Sequence, residues 1–243
     1  MSDNDLIERL RRRAWDPARR HDTVYVPLNW LKSEYGDAIT AYATSYRVRT
    51  DDSDPSEWPP DAPDHLKDAI VDAGAPAALA YFRDAPHEPP YAPASPAEVD
   101  TYERHINHKL PELLRRIYTE VSNGGFGPSY DILGIPPHGH RAYGSATWPT
   151  TYDTLGLPLV AAGCSVYWYV SLTEPGNPVH LWDADACDDP DDDPAQGIHL
   201  TIPTLRDWLN RWADGHDLYA DLDLDQHPAP TDPANPLIAP GPR

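Results

Sequence analysis

The sequence predicts an α+β fold: a mainly antiparallel sheet with helices packed against it, plus an N-terminal helical extension. Three observations predict it. Apolar stripes at helical spacing fill residues 96–121. Two runs rich in β-branched and aromatic residues, Val166–Leu172 and Val179–Trp182, flank the turn sequence Thr-Glu-Pro-Gly-Asn-Pro. A strongly amphipathic helix closes the pattern at Leu205–Trp212.

Residues 5–14 read as an amphipathic helix, with Leu6, Ile7, Leu10 and Ala14 on one face and the arginine cluster facing out. Thr23–Val26 reads as a short strand, and Leu28 to about Tyr46 as a helix. A proline-broken connector then leads to two short helices over residues 64–84. The first uses Leu66, Ala69, Ile70 and Ala73 and stops at Gly74. Pro76 opens the second, at a position where a missing N–H does no harm, and Leu79 and Phe82 are its apolar positions.

Five prolines in residues 86–96 make a stiff linker. The chain therefore divides into a helical extension over 1–94, a main domain over 95–218 and an acidic, Pro-rich tail over 219–243. Beyond about His227 the tail has six prolines and little to bury, so it is expected to attach loosely.

The main domain opens on Ser95-Pro96-Ala97-Glu98, a capping box with proline in the first turn. Val99, Tyr102 and Ile106 continue that helix. Leu110-Pro111 starts a second, whose stripe is Leu113, Leu114, Ile117, Tyr118 and Val121, and Asn123-Gly124 ends it. Val166–Leu172 and Val179–Trp182 read as a hairpin, and Ile198–Ile202 as a further strand. The last helix carries Leu205, Trp208, Leu209 and Trp212 on one face and stops at Gly215.

The 243 residues carry a formal charge of −20, and the first twenty are locally basic. Phosphate recognition needs Lys and Arg, so free nucleic acid is not expected as a ligand; the acidity either suits a basic protein partner or only keeps the chain soluble. Only three of the 19 basic residues are Lys, a composition expected of a GC-rich bacterial genome. The start of the chain lacks the apolar core of a signal peptide, and no apolar run approaches the ~20 residues that span a bilayer. A cytoplasmic protein without a membrane partner is expected.

Chemical motifs are sparse. The run Asn123-Gly-Gly-Phe-Gly-Pro128 follows a helix and lacks the Gly-Lys-Ser/Thr ending of a phosphate loop, so it reads as a helix exit with Phe126 tucked onto the core. His105 with His108, and His138 with His140, fall short of the convergent ligands a metal needs. Cys164 and Cys187 have neither CxxC nor zinc spacing and read as free thiols. No catalytic residue, metal site or cofactor is therefore assigned. The strongest charge feature is Asp183–Asp193, with seven acids and no base. It lacks the alternating acids, turn glycine and late Glu of a calcium loop. It reads either as a solvated loop or as an acidic patch for a basic partner, with Asp188, Asp189, Asp191, Asp192 and Asp193 as contact residues.

Taken together, Glu98 and Glu103, Leu110-Pro111 with Leu114 and Ile117-Tyr118, Asn123–Pro128, and Leu133-Gly134 resemble the SUKH superfamily. That superfamily contains bacterial immunity proteins of polymorphic toxin systems and a yeast cell-wall-synthesis regulator. Gly163-Cys164 before the aromatic strand is similar to the family's Gly-Cys-Gly element, with Ser165 where a second glycine is common. The resemblance covers about residues 95–215 well, 1–20 loosely and 21–94 hardly at all. It implies an α+β fold whose motif residues are turns, caps and core, with no active site. With the net charge and the acidic run, it leads to the expectation of an immunity protein that neutralises a cognate toxin, of the basic nuclease type, by occlusion in the producer's cytosol. The alternative is a regulatory or scaffold binding protein with no toxin partner, and an enzyme with a His/Asp cleft is a third class.

Overall fold

A computed structural model describes residues 2–43, 46–48, 62–140, 155–163, 165–187, 193–216, 218–219 and 234–239. In chain order its main elements are α1 (Asp3–Trp15), β1 (Thr23–Pro27), α2 (Leu28–Tyr35), β2 (Tyr46–Val48), β3 (Lys67–Asp72), α3 (Pro76–Tyr81), α4 (Pro96–His105) and α5 (Glu112–Arg116). They continue with β4 (Leu157–Ala161), β5 (Val166–Val170), β6 (Val179–Asp183), β7 (Ile198–Ile202) and α6 (Leu205–Ala213). The strands form two antiparallel sheets, ordered β1-β3-β2 and β4-β5-β6-β7, so the class is α+β. Among the described residues no helix is long and apolar enough to cross a membrane.

The chain folds as two compact units, one of residues 1–16 with 87–226, the other of 17–86 with 227–241. The expected division into a 1–94 extension and a separate tail therefore needs correction. Helix α1 buries Leu6, Ile7, Leu10 and Ala14 in the core of the larger unit. Its arginines do not simply face out. Arg9 pairs with Asp214 and donates to Asn210 over 3.1 Å, and Arg13 lies 4.1 Å from the Trp212 ring centroid while donating to the Trp212 carbonyl over 2.8 Å. The long side chains thus staple α1 to α6, a tertiary use that helical spacing alone does not reveal.

In this unit α4 begins with the expected capping box: the Glu98 N–H donates to Ser95 Oγ over 3.3 Å, and the Ser95 N–H to Glu98 Oε2 over 2.7 Å. α5 runs into a wider π-type turn, Ile117–Val121, in which the Ser122 N–H reaches Ile117 O over 3.1 Å. The Gly-rich run is a buried turn with Phe126 fully enclosed, its ring centroid 5.9 Å from that of Trp212. Gly124 has φ +83, and a Cβ there would lie 2.5 Å from the Ile132 carbonyl oxygen, so only glycine fits. Strand β4 is not among the strands expected from the sequence, and it carries Pro158. The strand lies at a sheet edge with a register shift between Pro158 and Val160, where proline is tolerated. α6 buries Leu205, Trp208, Leu209 and Trp212 as expected. Leu218 and Tyr219, assigned in part to the tail, join this unit: the Trp168 indole donates to Tyr219 Oη over 3.2 Å.

The smaller unit departs further from expectation. The long helix from Leu28 stops at Tyr35, because Gly36 adopts φ +80, and Tyr46–Val48 is strand. Lys67–Asp72 was expected as helix and is the central strand. Its Leu-Ala-Ile-Ala spacing suits a helix, but flanking strands on both sides satisfy its backbone groups. This is tertiary context overriding a local pattern. In α3 the core face is Ala77 and Ala78, while Leu79 stays 37% exposed. The described tail residues 234–239 include an attached stretch: Leu237 is buried, its carbonyl accepts the Asp72 N–H over 2.9 Å, and Pro236 O accepts the Ala77 N–H over 3.0 Å.

Candidate partner-binding surface

Alternation along β5 and β6 gives the larger unit's sheet two faces. Trp168, Val170, Val179 and Leu181 point into the helix-covered core, where Trp168 meets Trp208 edge-on with centroids 5.9 Å apart. Tyr167, Tyr169, His180 and Trp182 occupy the opposite face. The register pairs Tyr169 with His180 and Tyr167 with Trp182. Tyr169 also meets Trp182 edge-on at 5.6 Å. Tyr169 and His180 are buried, whereas Tyr167 and Trp182 keep part of their surface exposed.

His180 Nδ1 lies 2.9 Å from Thr201 Oγ1 on β7, and its Nε2 lies 3.8 Å from Glu174 in the hairpin turn. Burial lowers the imidazole's pKa, and the Glu174 carboxylate only partly offsets this. The result favours the neutral ring.

The acidic run begins at the end of β6 and ends just before β7, with residues 188–192 outside the described ones. Its two ends are fixed at one base. The Trp182 indole N–H donates to the Pro194 carbonyl over 2.8 Å. Gly197 packs so tightly against that indole that a Cβ would lie 2.5 Å from Nε1. Asp183 Oδ1 accepts the Asp185 N–H over 3.0 Å. The Ser165 hydroxyl and then that N–H hold the Asp183 carboxyl below the usual range, with His199 adding to them. At the return, Asp193 is exposed and accepts the Ala195 N–H over 2.9 Å, capping the turn Pro194–Gly197.

Of the expected contact residues, only Asp193 lies among the described ones. Asp188, Asp189, Asp191 and Asp192 lie outside them. The base itself was missed in the sequence, since Trp182 and Pro194 meet only through the pairing of β6 with β7. Their Trp and Pro-x-x-Gly signals were present but had no assigned relation.

Other charged groups serve the scaffold. Glu103, almost fully buried, accepts from Lys109 over 2.6 Å, from the Leu110 N–H over 3.2 Å and faces Arg115 at 3.1 Å. The Asn123 amide pairs with both backbone groups of Ile135, at 2.7 and 2.8 Å. His138 lies 3.2 Å from Glu98, and His140 lies 3.3 Å from the Tyr91 hydroxyl. Among the described residues no three His, Cys, Asp or Glu side chains converge as a metal site would need. Cys187 is a free, partly buried thiol, and Cys164 lies outside the described residues. No family model, curated protein or solved structure matches this chain.

Proposed function

We propose that this chain is a cytoplasmic immunity protein of the SUKH type, which binds a cognate toxin of basic, nuclease-like chemistry and occludes its substrate cleft. The observation that carries the reading is the mounting of the acidic run. Seven acids over residues 183–193 start and end at one anchored base, formed by Trp182, Pro194 and Gly197. The described acids at its two ends, Asp183 and Asp193, flank that base beside β6 and β7. A concentrated field of one sign speeds encounter with a partner of the other and disfavours wrong partners. Beside it, the partly exposed Tyr167 and Trp182 offer the amphipathic aromatic surface that anchors interfaces. The Leu110-Pro111 to Pro128 pattern supports the family assignment.

The test is co-expression with the product of each neighbouring toxin gene. Survival and co-purification are the expected result. Reversing the charges of residues 188–193 should weaken binding by at least about tenfold. Full affinity and protection from that variant would remove the loop from the interface. Survival of cells that lack this protein, under every pairing, would remove the immunity role.

A further inference from the structure

The four-stranded sheet has two edges. Along β4 the segment 130–133 runs alongside, with the Leu133 N–H donating to Leu159 O over 2.9 Å and the Tyr130 N–H to Ala161 O over 3.2 Å. At the other end of the order lies β7, and no described strand pairs with its outer side. An edge strand presents backbone N–H and C=O groups to any chain lying beside it. Proteins ordinarily guard such edges with charge, proline or very short strands. The smaller sheet follows that rule: β1 ends in Pro27, and β2 spans three residues with Arg47 at its centre. β7 does not. Its five residues, Ile-His-Leu-Thr-Ile, contain no Asp, Glu, Lys, Arg or Pro, and both His199 and Thr201 are exposed.

We infer that β7 is the edge at which a partner adds a strand, and that the added segment is extended and rich in Lys or Arg alternating with β-branched residues. Strand addition supplies backbone hydrogen bonds whatever the partner's sequence, and neighbouring charge selects among partners. That charge is adjacent here. The acidic run ends at Asp193, whose turn leads directly into Ile198, and Asp183 Oδ2 lies 3.8 Å from His199 Nε2. A second copy of this chain is the poorer occupant, because it would bring another net charge of −20 to the same edge. The inference rests on the binding-protein reading above and specifies how that binding is made.

The probe is a peptide of roughly ten residues, about the length of a long strand, alternating Lys and Val. Its controls are the same peptide interrupted by two prolines and a Glu–Val counterpart. Amide hydrogen exchange on the full chain reports the contact. The Lys–Val peptide should slow exchange across Ile198–Ile202, the proline-interrupted peptide should bind at least about tenfold more weakly, and the Glu–Val peptide should not bind. The double variant H199K/T201K, at two exposed positions, should weaken the Lys–Val peptide about tenfold, while H199T/T201V should not. Equal binding of the proline-interrupted peptide would reduce the contact to charge alone and overturn strand addition. So would protection confined to other elements, or a peptide-free dimer in sedimentation that protects the same amides. In co-expression, undiminished protection by H199K/T201K would remove strand addition while leaving the proposed function standing. Loss of toxin binding by the unmodified chain would remove that function itself.

Discussion

The Trp182 indole N–H donates to the Pro194 carbonyl over 2.8 Å, and this bond ties the end of β6 to the turn that enters β7. It joins the two ends of the acidic run. Trp182→Phe keeps a ring but removes the donor, leaving the carbonyl without it, and is expected to cost about 1 kcal/mol. Gly197→Ala tests the same base from the other side, because its Cβ would stand 2.6 Å from the Asp183 carbonyl oxygen as well as against the indole. Overpacking of this kind costs about 1–3 kcal/mol. In both variants amide exchange should speed up around residues 183–198 while α4 keeps its rates. Unchanged exchange there would mean that strand pairing alone holds the base.

Asn123 is a second rigid point. Its side chain pairs with the N–H and the carbonyl of Ile135, as a neighbouring strand would, and its own carbonyl accepts the His140 N–H over 2.9 Å. Asn123→Ala leaves two buried backbone groups unsatisfied, so a loss of about 2–4 kcal/mol is expected in denaturant unfolding. Asn123→Asp keeps an acceptor for the Ile135 N–H but turns a second oxygen toward the Ile135 carbonyl, and it should be no better than alanine. A small effect from both would show that the turn is held by its glycines and not by this amide.

These examples mark which parts of the molecule were legible in the sequence. Caps are local: Ser95 and Glu98 sit three residues apart, and their mutual bonds follow from that spacing. The stripe of Trp208, Leu209 and Trp212 is likewise contained in one helix. β3 was misread because Leu66, Ala69, Ile70 and Ala73 satisfy helical spacing, and what decides the strand is β1 and β2 on either side. Leu237 was assigned to a loose tail because its burial depends on Asp72 and Ala77, far away in sequence. The acidic run was visible as charge. Its base and the position of β7 at the end of the described strand order were not, since both exist only once the strands are ordered.

Glu103 predicts a pH dependence. Burial alone would raise its pKa, but the Lys109 ammonium, the Leu110 N–H and Arg115 outweigh it and hold the carboxyl below the ordinary glutamate range. A folded-state pKa below the unfolded one means stability that is fully present above the unfolded value and lost as pH falls through the folded value. Glu103→Gln should therefore cost about 2 kcal/mol at neutral pH, with the gap to the parent narrowing as pH falls below about 4. Denaturant midpoints across that range measure it. A gap that stays constant with pH would assign the loss to packing and not to the charge.

The placement of α1 gives the last test, because the two descriptions of the N-terminus predict opposite results. As part of an extension, α1 could be trimmed without effect on residues 95–218. In the fold, Leu10 is fully buried in the core that contains Trp208 and Trp212, and Arg9 and Arg13 hold α1 to α6. Leu10→Ala should therefore destabilise the larger unit by about 2–5 kcal/mol through lost burial and a cavity. Leu79→Ala, at a position 37% exposed in the other unit, should change stability by less than about 0.5 kcal/mol. Exchange rates of the α6 amides separate the outcomes: they should rise in Leu10→Ala and stay unchanged in Leu79→Ala. The same logic makes Arg13→Ala informative, since it removes both the stacking on Trp212 and the bond to its carbonyl while leaving the apolar face of α1 intact. A loss of about 1–2 kcal/mol there would assign the arginine to packing, the role its outward-facing sequence position concealed.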